Sequence, residues 1–202
     1  MSATLVEAVA MGWWYMSMLP GPRILLGLFT DSDLAPPGLH KNARKWAELA
    51  ARTIAISARL ESLGIDPKVS QQRQFAAAST VISSRLVEPR IVRAGDAASA
   101  LDPLGANGLA TALWSGIRAA ESIIGFIDHD ETAALRYEQS FLTGIASHLA
   151  TQDLLYRSER RFSDAPFWRR RNSRGKVGAD EKSAYWPDTD AGVATSAHMH
   201  QV

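Results

Sequence analysis

The sequence predicts a mixed α/β chain, an α+β fragment in which a short antiparallel sheet comes first and helices follow. Residues 4–30 alternate and cluster in the manner of β-structure, with period two and turn residues between the runs. Residues 40–63, 107–127 and 128–162 instead carry apolar side chains at three-to-four spacing, the signature of buried helix faces. A content of 46% hydrophobic and 21% charged residues is enough to build a core over most of the 202 positions.

The candidate strands are Leu5–Val9, Gly12–Met18 and Arg23–Thr30. Pro20-Gly21-Pro22 separates the last two, and its prolines cannot donate to a ladder, so a hairpin or meander is expected there. After Pro36-Pro37-Gly38 one helix is expected from His40 to Leu63, with Trp46, Leu49, Ala50, Thr53, Ser57 and Leu60 as its buried stripe. Gly64 supplies the left-handed end, Ile65 packs back, and Pro67 prevents resumption. Short strands are expected at Gln74–Ser79 and Arg90–Ala94, with Pro89 in the loop between them.

A second helix begins at Asn107, striped by Leu109, Leu113, Ile117, Ala120, Ile124 and Ile127. Asp128 and Glu131 have the spacing of a capping box. That box would open a third helix to Phe162, with Leu135, Leu142, Ile145, Leu149 and Tyr156 inward. From residue 172 the composition shifts to Ser, Gly, Asp, Lys and Ala without periodicity, as in a disordered tail.

Composition excludes several classes of function. There is no cysteine, which removes disulfides, thiolate metal sites and thiol nucleophiles. Twenty-two basic against 21 acidic residues leave a net charge of +1, without the basic excess of a nucleic-acid binder. The arginines between 157 and 174 form the one basic cluster and are expected to close the last helix and pair with acidic surfaces outside this chain. No uncharged apolar run reaches the roughly 18 residues of a membrane span. Met1–Glu7 has no basic flank, so no signal peptide and a cytoplasmic location are expected. No metal site is expected: His198 and His200 make an incomplete pair, and His40, His129 and His148 share no spacing, which places them on a helix surface or in loops.

The segment with chemical content runs from Ala94 to Gly108. Ile91-Val92 leads into Gly95-Asp96-Ala97-Ala98, then Asp102-Pro103-Leu104-Gly105, then Ala106-Asn107-Gly108 at a helix start. Gly95 lets a strand end approach a ligand with no Cβ in the way. Asp96 can accept hydrogen bonds from sugar-like hydroxyls, each worth about 1.5–3 kcal/mol when the acceptor is charged. Pro103 fixes the turn, and the helix start leaves backbone N–H groups without intrahelical partners, facing outward with a positive end.

Taken as a set, this spacing resembles the second FAD-binding motif of flavin-dependent aromatic hydroxylases and halogenases, whose FAD fold is of the para-hydroxybenzoate-hydroxylase type. The resemblance implies FAD as cofactor, bound by Gly95, Asp96, Ala97, Pro103, Gly105, Ala106, Asn107 and Gly108. It also implies an oxidoreductase, foremost a monooxygenase using a flavin C4a-hydroperoxide on an aromatic or protein-borne substrate. NAD(P)H or a flavin reductase would then supply electrons. The Gly-x-Gly-x-x-Gly turn of the nucleotide side is absent from these 202 residues, so the match covers only the carboxyl-terminal part of such an enzyme. The implied organisation is a partial substrate-binding domain at 1–88, the last part of a Rossmann-like FAD domain at 89–128, and terminal helices at 129–171.

Gly12-Trp13-Trp14-Tyr15, Leu19-Pro20 and Arg23 are similar to the substrate-domain hairpin of the tryptophan-halogenase-like branch, and 156–170 to its terminal helices. Trp13, Trp14 and Tyr15 are therefore candidates for a substrate wall, as well as ordinary strand residues. Halogenases carry Trp-x-Trp-x-Ile-Pro there, whereas this chain reads Trp13-Trp14-Tyr15-Met16-Ser17-Met18, which favours hydroxylation. Halogenation and a non-catalytic interaction module are the alternatives.

Overall fold

In the computed structural model of the chain, residues 4–21, 23–69 and 74–173 are described. Strands β1 (Leu5–Val9), β2 (Gly12–Leu19) and β3 (Arg23–Thr30) form an antiparallel meander in that order, as the alternation predicts. Leu5 lies opposite Met16, and Trp14 stands between Glu7 and Leu28. Successive strand side chains point to opposite faces. Trp14 and Met16 accordingly pack with Ala50, Ile56 and Leu60, while Trp13 packs with Tyr156, Phe167 and Trp168. The sheet is thus covered on both sides.

The single helix expected over 40–63 is two: α1 (Ala43–Ala51) and α2 (Ala55–Ser62). The break has a specific cause. The Glu7 carboxylate on β1 accepts hydrogen bonds from the N–H groups of Ile54, Ala55 and Ile56 at 2.6, 2.9 and 2.8 Å. Three donors that a continuous helix would spend on itself are drawn to the sheet. The Thr53 hydroxyl meanwhile donates to the Ala50 carbonyl and accepts from the Ser57 N–H. The expected stripe still faces inward, with Ala50, Thr53 and Leu60 buried. At the far end Ile65 donates to Leu60 and Gly64 to Glu61, the paired bonds of a Schellman end.

Residues 74–79 form no strand and lie exposed, contrary to expectation, because Ala76, Ala77, Ala78 and Ser79 offer little side chain to pack on a pleated face. The pairing falls instead on four two-residue strands: β4 (Val81–Ile82), β5 (Val87–Glu88), β6 (Ile91–Val92) and β7 (Ser99–Ala100). Strand β4 pairs with β7, and β5 with β6 through the Pro89-Arg90 turn.

The remainder is α3 (Gly108–Ile127), α4 (Ala133–Ser158) and α5 (Pro166–Ser173). The start and end of α3 agree with the sequence reading, but its inward face does not. Leu109, Leu113, Ile117, Ile124 and Ile127 are 75, 64, 62, 58 and 70% exposed, and the buried residues are Ser115, Ala119 and Ser122. These small side chains let α3 lie close against the aromatic face of α4, where Tyr137, Phe141 and Ile145 are buried. On α4, Ile145 and Tyr156 face inward as expected, while Leu135, Leu142 and Leu149 do not.

The Asp128–Glu131 capping box is also replaced. Asp128 ends α3, and Asp130 accepts from the Thr132 N–H and hydroxyl at 2.9 and 2.7 Å before α4 begins. Helix α4 stops at Ser158 rather than Phe162, and Asn172 and Ser173, expected in the tail, belong to α5. The tail from 174, with His198 and His200, lies outside the described residues. Among the described residues no helix is long and apolar enough to cross a membrane.

Helix α5 latches the end of the chain to its beginning. The Trp168 indole N–H donates to the Val9 carbonyl at 2.7 Å. Arg170 bridges Asp31 and Asp33, and Arg171 binds Asp31 with its guanidinium 3.5 Å from the Phe167 ring centroid. These arginines, expected to face acidic surfaces elsewhere, are paired within the chain. Burial alone would raise the Asp31 pKa, but hydrogen bonds from Arg171 and Arg170 outweigh it and hold it below 3.8.

Two outcomes follow. Glu7→Ala should cost about 1–2 kcal/mol in chemical denaturation and speed amide exchange at Ile54–Ile56 before the rest of α2. Because its folded pKa is lowered, Asp31 contributes stability that is complete above 3.8 and lost as pH falls through the lowered value. Asp31→Asn should therefore lower the thermal midpoint at neutral pH, and the two proteins' midpoints should converge in acid.

Candidate functional site

The Gly95–Ala97 segment forms a single 3₁₀ turn that follows β6 and packs against α3. Gly95 has φ +56°, its N–H donates to the Ser115 hydroxyl at 2.9 Å, and a Cβ would sit 3.3 Å from that of Ala112. Both the conformation and the close approach to α3 favour glycine. Ala98 is fully buried beneath the turn with Leu86, Tyr137 and Phe141, and the Tyr137 hydroxyl donates to the Arg93 carbonyl. Above this anchored floor Asp96 and Ala97 are exposed. The Asp96 carboxylate has no hydrogen bond or ion pair among the described residues.

The second turn, Pro103–Gly105, is held from both sides. One Asp102 oxygen accepts from the Leu104 N–H at 2.9 Å, and the other accepts from the Tyr156 hydroxyl at 2.7 Å. Burial, then the neighbouring Asp102 charge, pushes the Tyr156 phenol up to about 12, so it stays a donor. Gly105 faces His148 of α4: a Cβ there would lie 2.9 Å from the imidazole Cε1. Ala106 takes the left-handed conformation at φ +51°, and Asn107 precedes the first turn of α3 without capping it. Among the described residues the N–H groups of Gly108, Leu109 and Ala110 have no partner.

The structure therefore places Pro103, Gly105, Ala106, Asn107 and Gly108 at the amino-terminal end of α3, and the turn of Gly95, Asp96 and Ala97 against its first two turns. Ala112, which Gly95 touches, is one turn from Gly108, about 6 Å along the axis. A free carboxylate and an open row of helix donors on this scale suit a ligand with hydroxyls at one point and an electron-rich edge at another. The residues present fit a flavin with its ribityl chain.

Of the three aromatic candidates, Trp13 and Tyr15 pack in the cluster that holds Tyr156 and Leu104 behind the second turn, and Trp14 lies on the other face of the sheet. Trp13 and Trp14 are 2% and 1% exposed on opposite faces of β2, and Trp13 stacks on Phe29 at 4.0 Å. Only Tyr15 is half-buried. The two tryptophans are core residues and cannot share one wall. Sequence reasoning missed Asp102, Ser115, His148 and Tyr156 as the braces of the site. His148, expected on a helix surface or in a loop, is buried. The signal was its spacing, since Phe141, Ile145 and His148 repeat at four and three along α4.

No family model matches the chain. A protein of Marinomonas mediterranea named as an FAD-dependent oxidoreductase, LodB, is 28% identical over 169 residues, which is 83% of this chain and 44% of LodB. The structure of QhpG, titled a peptidyl tryptophan dihydroxylase essential for tryptophylquinone cofactor biogenesis, superposes with a TM-score of 0.75 at 24% identity. That superposition covers 92% of this chain and 43% of QhpG. The chain thus spans less than half the length of each, and its fold is that of the matched part of QhpG.

Proposed function

We propose that the chain forms the flavin-ring side of an FAD-dependent oxidoreductase, a monooxygenase that hydroxylates an aromatic or protein-borne substrate. The observation that carries this reading is the pairing of an unengaged Asp96 with the uncapped start of α3, at the residues of the flavin-like motif. LodB's name supports the cofactor, and QhpG's title supports hydroxylation of a side chain in a protein. Neither name points to halogenation, which the Tyr15, Ser17 and Met18 positions also disfavour.

Asp96 would hold the ribityl hydroxyls, and Gly95 and Ala97 would let the chain lie close. The N–H groups of Gly108, Leu109 and Ala110 would face the pyrimidine edge, where the positive helix end favours the negative charge of the reduced ring. The bound flavin supplies the redox chemistry with oxygen, and the protein supplies position and electrostatics. Electrons would come from NAD(P)H or a flavin reductase.

The exposed aliphatic stripe of α3 is the seat proposed for the nucleotide-binding half, in the same polypeptide or supplied separately. Isolated exposed leucines are ordinary, but five large aliphatics repeating on one helix face form a contiguous apolar surface. The division at residues 88 and 128 into substrate, FAD and terminal helical parts belongs to this same proposal.

A site that grips the ring side predicts a particular ligand series. Riboflavin and FAD should shift the amide resonances of Gly95–Ala97 and Gly105–Ala110 in the isotope-labelled chain, whereas ADP should not. Asp96→Ala should weaken the riboflavin response roughly tenfold and leave the unfolding midpoint unchanged, because Asp96 is exposed and unpaired among the described residues. Equal shifts with ADP, or none with riboflavin, would count against the reading.

A further inference from the structure

In the order β1-β2-β3 the meander has two outer strands, and they differ in how they meet their surroundings. A row of unpaired N–H and C=O groups is a template for another strand, so sheets guard such edges with short strands, charges or proline. Strand β1 is five residues long and carries Glu7 at its middle. Strand β3 is eight residues long, and from Ile24 to Thr30 it has neither a charge nor a proline.

The register determines which groups of β3 face outward. Ala10 and Met11 form a two-residue turn, so Val9 and Gly12 close it as a hydrogen-bonded pair. Bonded pairs then alternate along the ladders. Glu7 bonds with Trp14 and Leu5 with Met16 on one side of β2, and Trp13 with Phe29, Tyr15 with Gly27 and Ser17 with Leu25 on the other. The backbone groups of Ile24, Leu26, Leu28 and Thr30 therefore point away from β2, and among the described residues their N–H groups have no partner.

We propose that β3 is the docking edge for a second copy of this chain, paired antiparallel across a two-fold axis into one six-stranded sheet. Outward groups must meet outward groups, which leaves every second register available. Pairing that uses the whole run from Ile24 to Thr30 sets Ile24 against Thr30, and Leu26 against Leu28, of the second copy. Each such pair exchanges two bonds. Gly27 then falls on the axis opposite its own twin, where no side chains collide. Leu25, 51% exposed in one chain, comes beside Phe29 of the second copy. Arg23, which bonds the Pro20 carbonyl at the strand's start, comes beside Asp31 of the second copy. The assembly closes at two, because the edges that remain are the short β1 strands with their Glu7. None of the flavin-motif residues takes part, so the inference stands independently of the flavin reading.

Amide exchange of the unmodified chain reads the pairing residue by residue. Between low micromolar and several hundred micromolar protein, exchange at Leu26 and Leu28 should slow roughly tenfold, well beyond any change at Leu25 and Gly27, which already bond to β2. Light scattering over the same range should reach twice the mass of one chain.

Because the chain has no cysteine, a single introduced thiol reports the register. A Cβ on Gly27 meets nothing nearer than Cε2 of Phe29 at 3.5 Å, an ordinary contact, so Gly27→Cys should fold. Across the axis the two Cα atoms of this non-bonded pair would lie about 4.5 Å apart, within the span of a disulfide. Oxidised glutathione should therefore link Gly27→Cys into a dimer. Leu25→Cys, exposed on the same face, would lie about 14 Å from its twin and should not link. Gly27→Lys sets two ammonium groups at the axis and should leave a monomer with an unchanged circular dichroism spectrum. Where Gly27→Lys does not fold, the exchange and cross-linking results decide.

A single-chain mass at several hundred micromolar overturns the proposal. So does a folded Gly27→Lys that still dimerises, or a Gly27→Cys that links no faster than Leu25→Cys. Concentration-dependent protection that falls outside β3 also overturns it, as it would if copies met through the exposed stripe of α3.

Discussion

The carboxylate of Asp102 is the fixed point on which the site is built. With one oxygen it closes the Pro103 turn, and with the other it accepts the hydroxyl of Tyr156 from α4. Tyr156 is itself wedged among Trp13, Phe167 and Trp168, so the turn is tied through one side chain to the sheet and to both terminal helices. Removing either partner would strand a buried polar atom, and such losses cost more than the bond itself contributes. The rigidity lies behind the loop, and among the described residues the N–H groups of Gly108, Leu109 and Ala110 at its outward edge keep no partner. A binding edge braced from the rear can meet a ligand without ordering itself first.

Local chemistry was legible wherever a single element decided its own shape. The three strands of the meander follow from alternation and from Pro20-Gly21, and the end of α2 follows from Gly64 and Ile65. The Gly95 and Pro103 turns were likewise legible, because their residue types have few other uses. What could not be read depends on distant partners. Glu7 breaks a helix that lies 47 residues later, a relation that no window of periodicity contains. The two-residue strands carry too few side chains to show a period, and β4 finds β7 only across the whole of β5, β6 and the Gly95 turn.

Helix α3 shows the subtler failure. Its aliphatic period was read correctly and assigned to the wrong neighbour, because amphipathicity reports that a face is to be covered without saying by what. The polar-looking face, Ser115 and Ser122 with Ala119, is the one that meets α4. Ser115 is there for a reason beyond size: its hydroxyl receives the Gly95 N–H. One small side chain therefore serves both close helix packing and the placement of the Gly-Asp turn.

The bond between Trp168 and Val9 has a consequence for the order in which the molecule assembles. Its partners are 159 residues apart, and the aromatic cluster around Trp13 is complete only when α5 has arrived. During synthesis from the amino terminus, the face of the meander that bears Trp13 stays wet until nearly all of the described chain has emerged, while the Trp14 face can be covered early by α1 and α2. Contacts of such long separation slow folding and prolong the exposure of apolar strands to other chains. The end of α5 thus acts as a timing element, and a chain stopped before Pro166 would present an open tryptophan face to whatever it met.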